Sequence, residues 1–313
     1  MNNIWLIGAG AMAQDYIKVL DALNTTLTII GRGSENAEKC KTITGSKVVS
    51  GGLHNFLLET PTVCSHAIVA VGVEKLFETT QTLLEYGVKN ILVEKPGAMS
   101  KTEFESLINL KKEKSANILI AYNRRFFSSV LKAKELIAID GGVSSFNFEF
   151  TEWSHVIEPL VKPEGVKEKW LFVNSTHVLD LAFFLGGKPK EMSSFTNGSL
   201  PWHPVSNFSG AGVSDKGALF SYQANWESAG RWAVEVLTTS NRFIFKPMEK
   251  LQVQKRGTIA QEIIELDSKL DDEYKPGLYL QTKQFLANDF SNMCSIEEQC
   301  GMIDNYNKIA NYL

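Results

Sequence analysis

A glycine-rich turn near the start of the chain contains residue types that bind phosphate groups. The apolar run Ile4–Ile7 is followed by Gly8 and Gly10, and a helical pattern of apolar residues then begins. Gly8 would let the backbone turn sharply, and Gly10 would leave room for a pyrophosphate beside the first helical amides. We therefore predict that Gly8, Gly10, Ala11 and Met12 bind a dinucleotide. The alternative is a turn that needs glycine for its geometry alone.

The end of the second predicted strand indicates which dinucleotide the chain would bind. A site that prefers NAD usually carries an acidic residue about 20 residues after the glycine motif, where it binds the ribose hydroxyls. This sequence instead has Gly31, Arg32 and Ser34 after the strand Leu27–Ile30. A guanidinium can bind a ribose phosphate through two hydrogen bonds and a hydroxyl can donate another, so Arg32 and Ser34 favour NADP, with NAD as the alternative. An ordinary solvated arginine is the other interpretation of Arg32.

A lysine follows another apolar strand, in a position suited to acid–base chemistry. Glu94, Lys95 and Pro96 come directly after Ile91–Val93. The carboxyl ends of parallel strands face the ligand crevice, so we expect Glu94, Lys95 and Val71, at the end of the preceding strand, to contact the cofactor. Burial and an adjacent positive charge favour the neutral, proton-accepting form of a lysine, which makes Lys95 a candidate catalytic residue. A surface lysine at a strand end is the alternative.

A histidine in the second half of the chain is the other catalytic candidate. Asn174 or Ser175 is predicted to cap a helix that runs to Leu185, which places His177 in its first turn. The helix dipole there favours a neutral imidazole that can accept a proton. Asp180, three residues later, is a neighbour on the helix surface and could orient the ring. A structural histidine is the alternative interpretation.

These residues need a scaffold that brings the ends of distant strands together. Through the first 123 residues, short apolar runs alternate with helical patterns, which is typical of a doubly wound α/β sheet with parallel strands. We predict a dinucleotide-binding domain over residues 1–123, with Arg32 and Lys95 at the carboxyl edge of its sheet. Residues 124–313 are predicted to form a second α/β domain.

The second domain is predicted to contain a large, open and mostly antiparallel sheet. Phe146, Phe148 and Phe150 alternate with polar residues, the pattern of a strand with one buried face. Strand-like segments then fill Ala218–Leu266, and breaks such as Ser228–Gly230 indicate the hairpins of an antiparallel meander.

This sheet also leads us to expect an oligomer. Trp226, Trp232, Val234 and Val236 suggest that both faces of the sheet carry apolar residues. If one face packs on the helices of the domain, the other would meet a second subunit. We therefore predict a homodimer or homotetramer that associates through the C-terminal sheet.

Composition and charge exclude several classes of protein. With 313 residues, 44% hydrophobic and 21% charged, the chain is long enough for two domains. A net charge of −3 without a basic stripe excludes nucleic acid as a partner. No apolar run reaches the length of a membrane span, and the first strand begins too early for a cleavable leader, so we expect a cytoplasmic protein. The cysteines are scattered without a Cys-x-x-Cys pair and predict no metal site: Cys40, Cys64, Cys294 and Cys300.

Four segments together resemble the Gfo/Idh/MocA oxidoreductase family. They are the glycine turn Gly8–Ala13, the triplet Glu94–Pro96, the segment Tyr122–Phe126 and the helix start Asn174–Asp180. The resemblance covers nearly the whole chain. It implies a Rossmann domain followed by an α/β domain with a large open sheet, a bound nicotinamide cofactor, and oxidation or reduction of a sugar or similar polyol.

The resemblance also implies roles for particular residues. Lys95 would contact cofactor and substrate, Arg125 would lie near the substrate pocket, and His177 would be the acid or base. Tyr274 lies in a turn that comes near the substrate in similar proteins. The predicted substrate-binding residues are Lys95, Arg125, Asn174, His177 and Tyr274.

The chain departs from the family pattern at Val173. Many members have an aspartate there, one helical turn before the histidine. Proton transfer would then rest on His177 and Lys95, assisted by Asn174 or by a substrate group.

The sequence therefore predicts an NAD(P)-dependent oxidoreductase that transfers a hydride to or from a secondary carbinol or carbonyl carbon of a sugar, polyol or sugar nucleotide. Two other functions use the same scaffold. One is a glycosidase or lyase that cycles its nicotinamide without net turnover. The other is a regulator without catalytic activity that binds a dinucleotide.

Overall fold

The computed structural model describes residues 3–312 and divides into two compact units. Unit 1 consists of residues 3–123 and 269–301, and unit 2 of residues 124–268 and 302–312. The division after residue 123 coincides with the predicted boundary. The predicted extent of the second domain was wrong, because residues 269–301 pack with unit 1.

Long-range contacts hold the returning segment in unit 1. The side-chain amide of Asn123 donates to the carbonyl oxygen of Pro276 at 2.8 Å. In the fourth strand, His66 Nε2 lies 3.2 Å from Asn288 Oδ1, and its ring packs edge-on against Phe285. These hydrogen bonds join residues 153 and 222 positions apart, so no local sequence pattern indicates them.

Strands and helices alternate up to residue 123, as predicted. The strands are β1 (Asn3–Ile7), β2 (Thr26–Ile30), β3 (Lys47–Val49), β4 (His66–Val69), β5 (Asn90–Val93) and β6 (Asn117–Ile120). The helices are α1 (Ala11–Ala22), α2 (Ser34–Ile43), α3 (Gly52–Leu58), α4 (Leu76–Tyr86) and α5 (Lys101–Lys114). Short 3₁₀ turns lie at Val73–Lys75 and Asn123–Phe126.

Unit 2 is rich in strands, with one long buried helix. Its helices up to residue 268 are α6 (Ser128–Ile139), α7 (Ser154–Ile157) and α8 (Thr176–Gly186), and a π-helical turn at Leu171–Ser175 precedes α8. Its strands are β7 (Ser145–Glu149), β8 (Pro189–Asn197), β9 (Asn207–Ser214), β10 (Leu219–Asn225), β11 (Ala233–Leu237), β12 (Asn241–Phe245), β13 (Gln252–Lys255) and β14 (Glu262–Ile263).

The last part of the chain is mainly helical. It contains α9 (Lys269–Glu273), α10 (Leu278–Leu286), the short strand β15 (Cys294–Ser295) and α11 (Ile296–Ala310). The division between the units falls within α11, after Gly301. Over residues 3–312, no helix combines the length and the hydropathy that crossing a bilayer would require.

The sheet of unit 1 has the predicted doubly wound topology. Its strands lie in the order β15-β6-β5-β4-β1-β2-β3, and all pairs are parallel except β15 with β6. The order reverses between β1 and β4, which is where sheets of this type bind ligands. β4 is buried on both faces, as expected for a parallel strand between helical layers.

The sheet of unit 2 is large, open and mostly antiparallel, which confirms the predicted fold class. Its strands lie in the order β14-β13-β12-β11-β7-β10-β9-β8. β7 lies between β10 and β11 and runs parallel to β10. The predicted hairpin at Ser228–Gly230 was therefore wrong. The β8–β9 pair was not predicted, because its residues lack a strong apolar alternation.

The central strands of this sheet carry mainly polar side chains on the outer face, which corrects the expectation that Trp226, Trp232, Val234 and Val236 mark two apolar faces. Trp226, Trp232, Val234 and Val236 are all buried, at 1%, 7%, 0% and 0% exposure. On the face opposite Phe146, neighbouring positions of β7, β10 and β11 carry polar side chains: Asn147, Glu149, Ser221, Gln223 and Glu235. The oligomer itself stays a prediction.

The inner face of the sheet packs aromatic rings against α8. Phe146 stacks on Phe220 with ring centroids 5.3 Å apart and meets Phe183 edge-on at 6.0 Å. A Cβ on Gly186, the last residue of α8, would lie 2.2 Å from a ring carbon of Phe146. Glycine is therefore required at this end of α8 by the ring that packs on it.

This close packing predicts opposite effects for two glycine-to-alanine variants. Gly186→Ala should lower the free energy of unfolding by about 1 to 3 kcal/mol, because the added methyl displaces the Phe146 ring. Gly301→Ala is the matched control, since Gly301 lies in α11 with no atom within 4 Å of an added Cβ. It should raise stability by about 0.5 to 1 kcal/mol. Urea unfolding measures both, and equal stabilities would contradict the packing described here.

Candidate functional site

A cavity of about 870 Å³ opens in unit 1 beside the ends of β1, β2 and β4. Six residues predicted to bind the cofactor line it: Gly8, Gly10, Ala11, Met12, Arg32 and Val71. The ionisable residues His54, Glu74, Lys75 and Glu78 also line the cavity and were not predicted. Lys75 and Glu78 form an exposed ion pair, with Nζ 2.8 Å from the carboxylate, so this wall holds charges of both signs.

The two glycines of the turn have different roles. Gly8 has φ +124°, and a Cβ there would lie 2.2 Å from the carbonyl oxygen of Ala70, so this residue is required by the fold. Gly10 precedes the first turn of α1 with φ −77°, and no atom lies within 4 Å of its added Cβ. Its missing side chain leaves the helix amides open to the cavity, which fits the phosphates of a dinucleotide.

The end of β2 carries an exposed arginine. Arg32 faces the cavity, and the chain has no carboxylate at the positions directly after β2, from Gly31 to Ser34. Ser34 is the exposed first residue of α2 and is not among the cavity-lining residues. The Arg32 guanidinium can thus bind an anionic group in the cavity. Ser34 could contact only a ligand that extends beyond the residues lining the cavity.

Glu94 joins α1 to the end of β5. The hydroxyl of Tyr16, in α1, donates to Glu94 Oε1 at 3.0 Å. Burial raises the pKa of Glu94, and the nearby cations Lys95 and Lys275 partly oppose this effect. The pKa of Tyr16 is also raised, first by burial and then by Glu94. Glu94 is not among the cavity-lining residues, so its observed contact is structural.

The turn that carries Lys95 is held in place from a distant helix. Lys95 is half-buried directly after β5, and the Lys95–Pro96 peptide bond is cis. Gln299, in α11, donates from Nε2 to the carbonyl oxygen of Pro96 at 3.2 Å. The hydroxyl of Tyr122 donates in turn to Gln299 Oε1 at 3.1 Å. These contacts fix the backbone from which Lys95 projects.

The returning segment brings Tyr274 and an unpredicted lysine into unit 1. The hydroxyl of Tyr274 donates to Glu273 at 3.1 Å. The next residue, Lys275, places its Nζ 3.2 Å from Met12 Sδ and 3.5 Å from Asp15 Oδ2. Lys275 therefore lies beside the first turn of α1. Nothing in the local sequence indicates this position, because the two segments are 263 residues apart.

In unit 2, His177 is the second residue of α8 and is 8% exposed. Its ring centroid lies 6.1 Å from that of Trp232. The π-helical turn ends just before it, and neither Asn174 nor Ser175 acts as the predicted cap. Both side chains instead donate to Glu152 Oε1, at 2.9 and 2.8 Å. Glu152 was missed because it follows a regular strand pattern and looks like a surface residue.

Arg125 and Asp180 form a buried ion pair in unit 2. Arg125 Nε and Nη2 donate to the two carboxylate oxygens of Asp180 at 2.9 and 2.6 Å. The side chains are 3% and 4% exposed. Bidentate geometry satisfies both charges out of water. Arg125 therefore supports α8, and Asp180, considered above as a partner for His177, holds this guanidinium.

Arginine and tryptophan side chains stack beside His177. The Arg231 guanidinium lies 4.5 Å from the ring centroid of Trp153 and 4.6 Å from that of Trp232. Arg124 lies 4.8 Å from the centroid of Trp232. These four residues were not predicted, although an arginine flanked in sequence by Trp232 was a visible signal.

The structure thus places the predicted residues in two separate groups. Unit 1 holds the glycine turn, Arg32, Lys95 and Tyr274, and unit 2 holds Asn174, His177 and Arg125. Among the residues that the structure describes, no group of three or more His, Cys, Asp or Glu side chains is arranged to bind a metal ion.

Comparison with known proteins finds a family-level similarity for the first segment of the chain. Residues 2–122 match the model of the Gfo/Idh/MocA family, described as an oxidoreductase family with an NAD-binding Rossmann fold. This segment is therefore similar to the NAD-binding part of Gfo/Idh/MocA oxidoreductases. A relative, the uncharacterized oxidoreductase YhhX of Escherichia coli (strain K12), is 30% identical over 133 residues, 42% of this chain and 36% of that protein. The alignment spans little more than a third of that relative.

Solved structures of similar fold cover nearly the whole chain. UDP-N-acetylglucosamine 3-dehydrogenase GnnA from Acidithiobacillus ferrooxidans is 13% identical with a TM-score of 0.77, over 100% of this chain and 97% of that one. Levoglucosan dehydrogenase in complex with NADH is 16% identical, with a TM-score of 0.80 over 99% and 96%. The dehydrogenase MviM from Clostridium difficile is 18% identical, with a TM-score of 0.78 over 100% and 99%. At these identities the similarity shows the fold of the chain.

The two glycines of the turn predict a separation of stability from ligand binding. Gly8→Ala should lower the free energy of unfolding by at least about 2 kcal/mol, because its φ is positive and the methyl would meet the Ala70 carbonyl. Gly10→Ala should leave it within about 0.5 kcal/mol, because its backbone is extended and the space is open. It should weaken dinucleotide binding about tenfold or more. Unfolding curves and fluorescence titration with NADPH test this, and unaltered NADPH affinity in Gly10→Ala would contradict the assignment of the cavity.

Proposed function

We propose that the protein is an NAD(P)-dependent oxidoreductase that acts on a secondary alcohol or carbonyl carbon of a sugar, polyol or sugar nucleotide. The observation that carries this proposal is the cavity of unit 1, in which Gly10 leaves the start of α1 open. The match of residues 2–122 to the model of an NAD-binding oxidoreductase family supports it. Two proteins of the same fold are a UDP-N-acetylglucosamine 3-dehydrogenase and a levoglucosan dehydrogenase, which supports the substrate class.

We propose NADP as the cofactor, with NAD as the alternative. Arg32 is exposed at the end of β2 and lines the cavity, which supports a contact between its guanidinium and a ribose phosphate. A carboxylate, which would repel that phosphate, is absent from the residues directly after β2. NAD stays in the proposal because a structure of similar fold contains NADH.

In the proposed reaction, Lys95 and His177 handle the proton of the substrate hydroxyl. A bound nicotinamide supplies the hydride chemistry. His177 would accept the hydroxyl proton in the oxidative direction, and the Lys95 ammonium would stabilise the developing alkoxide. Asn174 and Tyr274 are proposed as substrate contacts. Arg125 is not kept in that role, because its side chain is 3% exposed and paired with Asp180.

We also propose that the chain forms a homo-oligomer through the outer face of the unit 2 sheet. Two large apolar side chains are exposed on that face, Phe195 at 69% and Leu219 at 65%. They lie among polar residues of neighbouring strands, which is the composition of an ordinary protein–protein interface with polar groups around an apolar centre.

The proposed roles of Lys95 and His177 predict a loss of turnover without a loss of cofactor binding. Lys95→Ala and His177→Ala should each lower kcat by about 10²- to 10⁴-fold, while the Kd for NADPH changes by less than about 5-fold. Lys112→Ala, on the exposed face of α5, is the matched control and should retain full turnover. Reduction of NADP over a panel of sugars gives kcat, and wild-type turnover in both variants would refute these roles. Product formed without net change in NADP would instead identify nicotinamide cycling.

The cofactor preference predicts a selective effect of a charge reversal at the end of β2. Arg32→Asp should weaken NADPH binding about 100-fold and leave NADH binding within about 3-fold, because only NADPH carries the ribose phosphate. Lys39→Asp makes the same change of charge on the exposed part of α2 and should leave the ratio of affinities unaltered. Fluorescence titration measures both Kd values. Equal changes for the two cofactors in Arg32→Asp would overturn the preference for NADP.

A further inference from the structure

Unit 2 contains a buried carboxylate, Glu152, whose contacts reach the start of α8, the helix that carries His177. Glu152 follows β7 by three residues and is 1% exposed. A carboxylate removed from water is strongly unfavourable unless hydrogen-bond donors replace the lost water. The contacts of Glu152 therefore indicate what this charge does in the fold.

Two of those donors come from the π-helical turn that precedes α8. Asn174 Nδ2 and Ser175 Oγ both donate to Glu152 Oε1, at 2.9 and 2.8 Å. Arg231 Nη1 lies 3.4 Å from the other oxygen, Oε2. Charge-assisted bonds of this kind are stronger than neutral ones. Glu152 thus fixes both residues of the turn that come just before α8.

The π-helical geometry explains why this anchor is needed. An α-helical turn would carry its backbone bonds from residue i to i−4, whereas the wider turn at Leu171–Ser175 is less favourable by itself and is often found at functional sites. Ser175 is fully buried and His177 is two residues further along. The orientation of His177 therefore depends on the turn that Glu152 holds.

Other charged groups around His177 are already engaged with specific neighbours. Asp180, on the same helix, is paired with Arg125. Arg231 stacks between two tryptophans and has 44% of its side chain exposed. Arg124 packs on the face of Trp232, the ring that also contacts His177. The carboxylate of Glu152 is the buried acidic group that lies next to the π-helical turn.

We propose that Glu152 is a positioning residue for His177: its carboxylate holds Asn174 and Ser175 and stabilises the protonated imidazole at the start of α8. Only the catalytic part of this inference, the effect of Glu152 on turnover, rests on the proposed function. Its structural and electrostatic consequences are properties of unit 2 and can be measured in the protein without substrate.

The first measurement is the titration of His177 by NMR in the full-length protein. Glu152→Gln keeps the shape of the side chain and removes its charge, so the pKa of His177 should fall by about 0.5 or more. Glu149→Gln is the matched control at the end of β7, three residues earlier, where the carboxylate faces outward and accepts from the backbone of Arg231. It should leave the titration of His177 unaltered, and the missing signal in His177→Ala assigns the resonance.

The second measurement is steady-state kinetics. Glu152→Gln should lower kcat about tenfold or more, leave the KM for substrate and the Kd for NADPH within about 3-fold, and shift the acidic limb of the kcat–pH profile in the direction of the NMR shift. Ser175→Ala should lower kcat by a smaller factor, because it removes one of the two hydrogen bonds that Glu152 Oε1 accepts from the turn and leaves the charge in place.

The outcomes separate this inference from the proposed function. A wild-type pKa of His177 in Glu152→Gln overturns the inference whatever the activity. A shifted pKa in a protein that oxidises no sugar supports it and refutes the proposed function. Should Glu152→Gln fail to fold, Ser175→Ala decides: it removes one donor to the Glu152 carboxylate, so kcat must fall, and wild-type kcat together with wild-type titration of His177 overturns the inference.

Discussion

The close approach of Gly8 to the carbonyl oxygen of Ala70 is the constraint on which the cofactor cavity depends. The ends of β1 and β4 meet there, at the point where the strand order reverses, and the distance leaves no room for a side chain. Because the chain turns sharply at Gly8, α1 starts directly above the sheet edge. The first backbone amides of α1 then face the cavity. The contact between Gly8 and Ala70 therefore determines both where the cavity opens and which hydrogen-bond donors line it.

The returning segment, residues 269–301, ties two turns of unit 1 to distant elements by hydrogen bonds. Gln299 holds the carbonyl of Pro96, and Asn123 holds that of Pro276, so both predicted substrate-contact turns of unit 1 are tied to other elements. Residues that are fixed in this way lose little entropy when a ligand binds. The segment also brings Lys275 to the first turn of α1, where its positive charge lies close to the helix start.

Three buried charged side chains of unit 2, Arg125, Asp180 and Glu152, have specific hydrogen-bond partners. Asp180, in α8, forms a bidentate pair with Arg125, and Glu152 accepts two hydrogen bonds from the turn before α8. The ion pair holds α8 at Asp180, and the Glu152 contacts hold the turn that precedes α8. Since breaking either would leave an uncompensated charge out of water, α8 has few alternative positions. The helix that carries His177 is in this way held more firmly than its apolar face alone would require.

The sequence by itself determined the elements whose signals are local. The strand, glycine turn and helix at Ile4–Ala22, the alternation up to residue 123 and the mostly antiparallel second sheet follow from short-range periodicity and turn residues, and the structure has them. Tertiary structure alone decided the return of residues 269–301 to unit 1, the insertion of β7 between β10 and β11, and the engagement of Asn174 and Ser175 by Glu152 instead of helix capping. The physical reason is that these outcomes depend on contacts between residues far apart in the chain or on the burial of a charge, and neither leaves a periodic trace in the sequence.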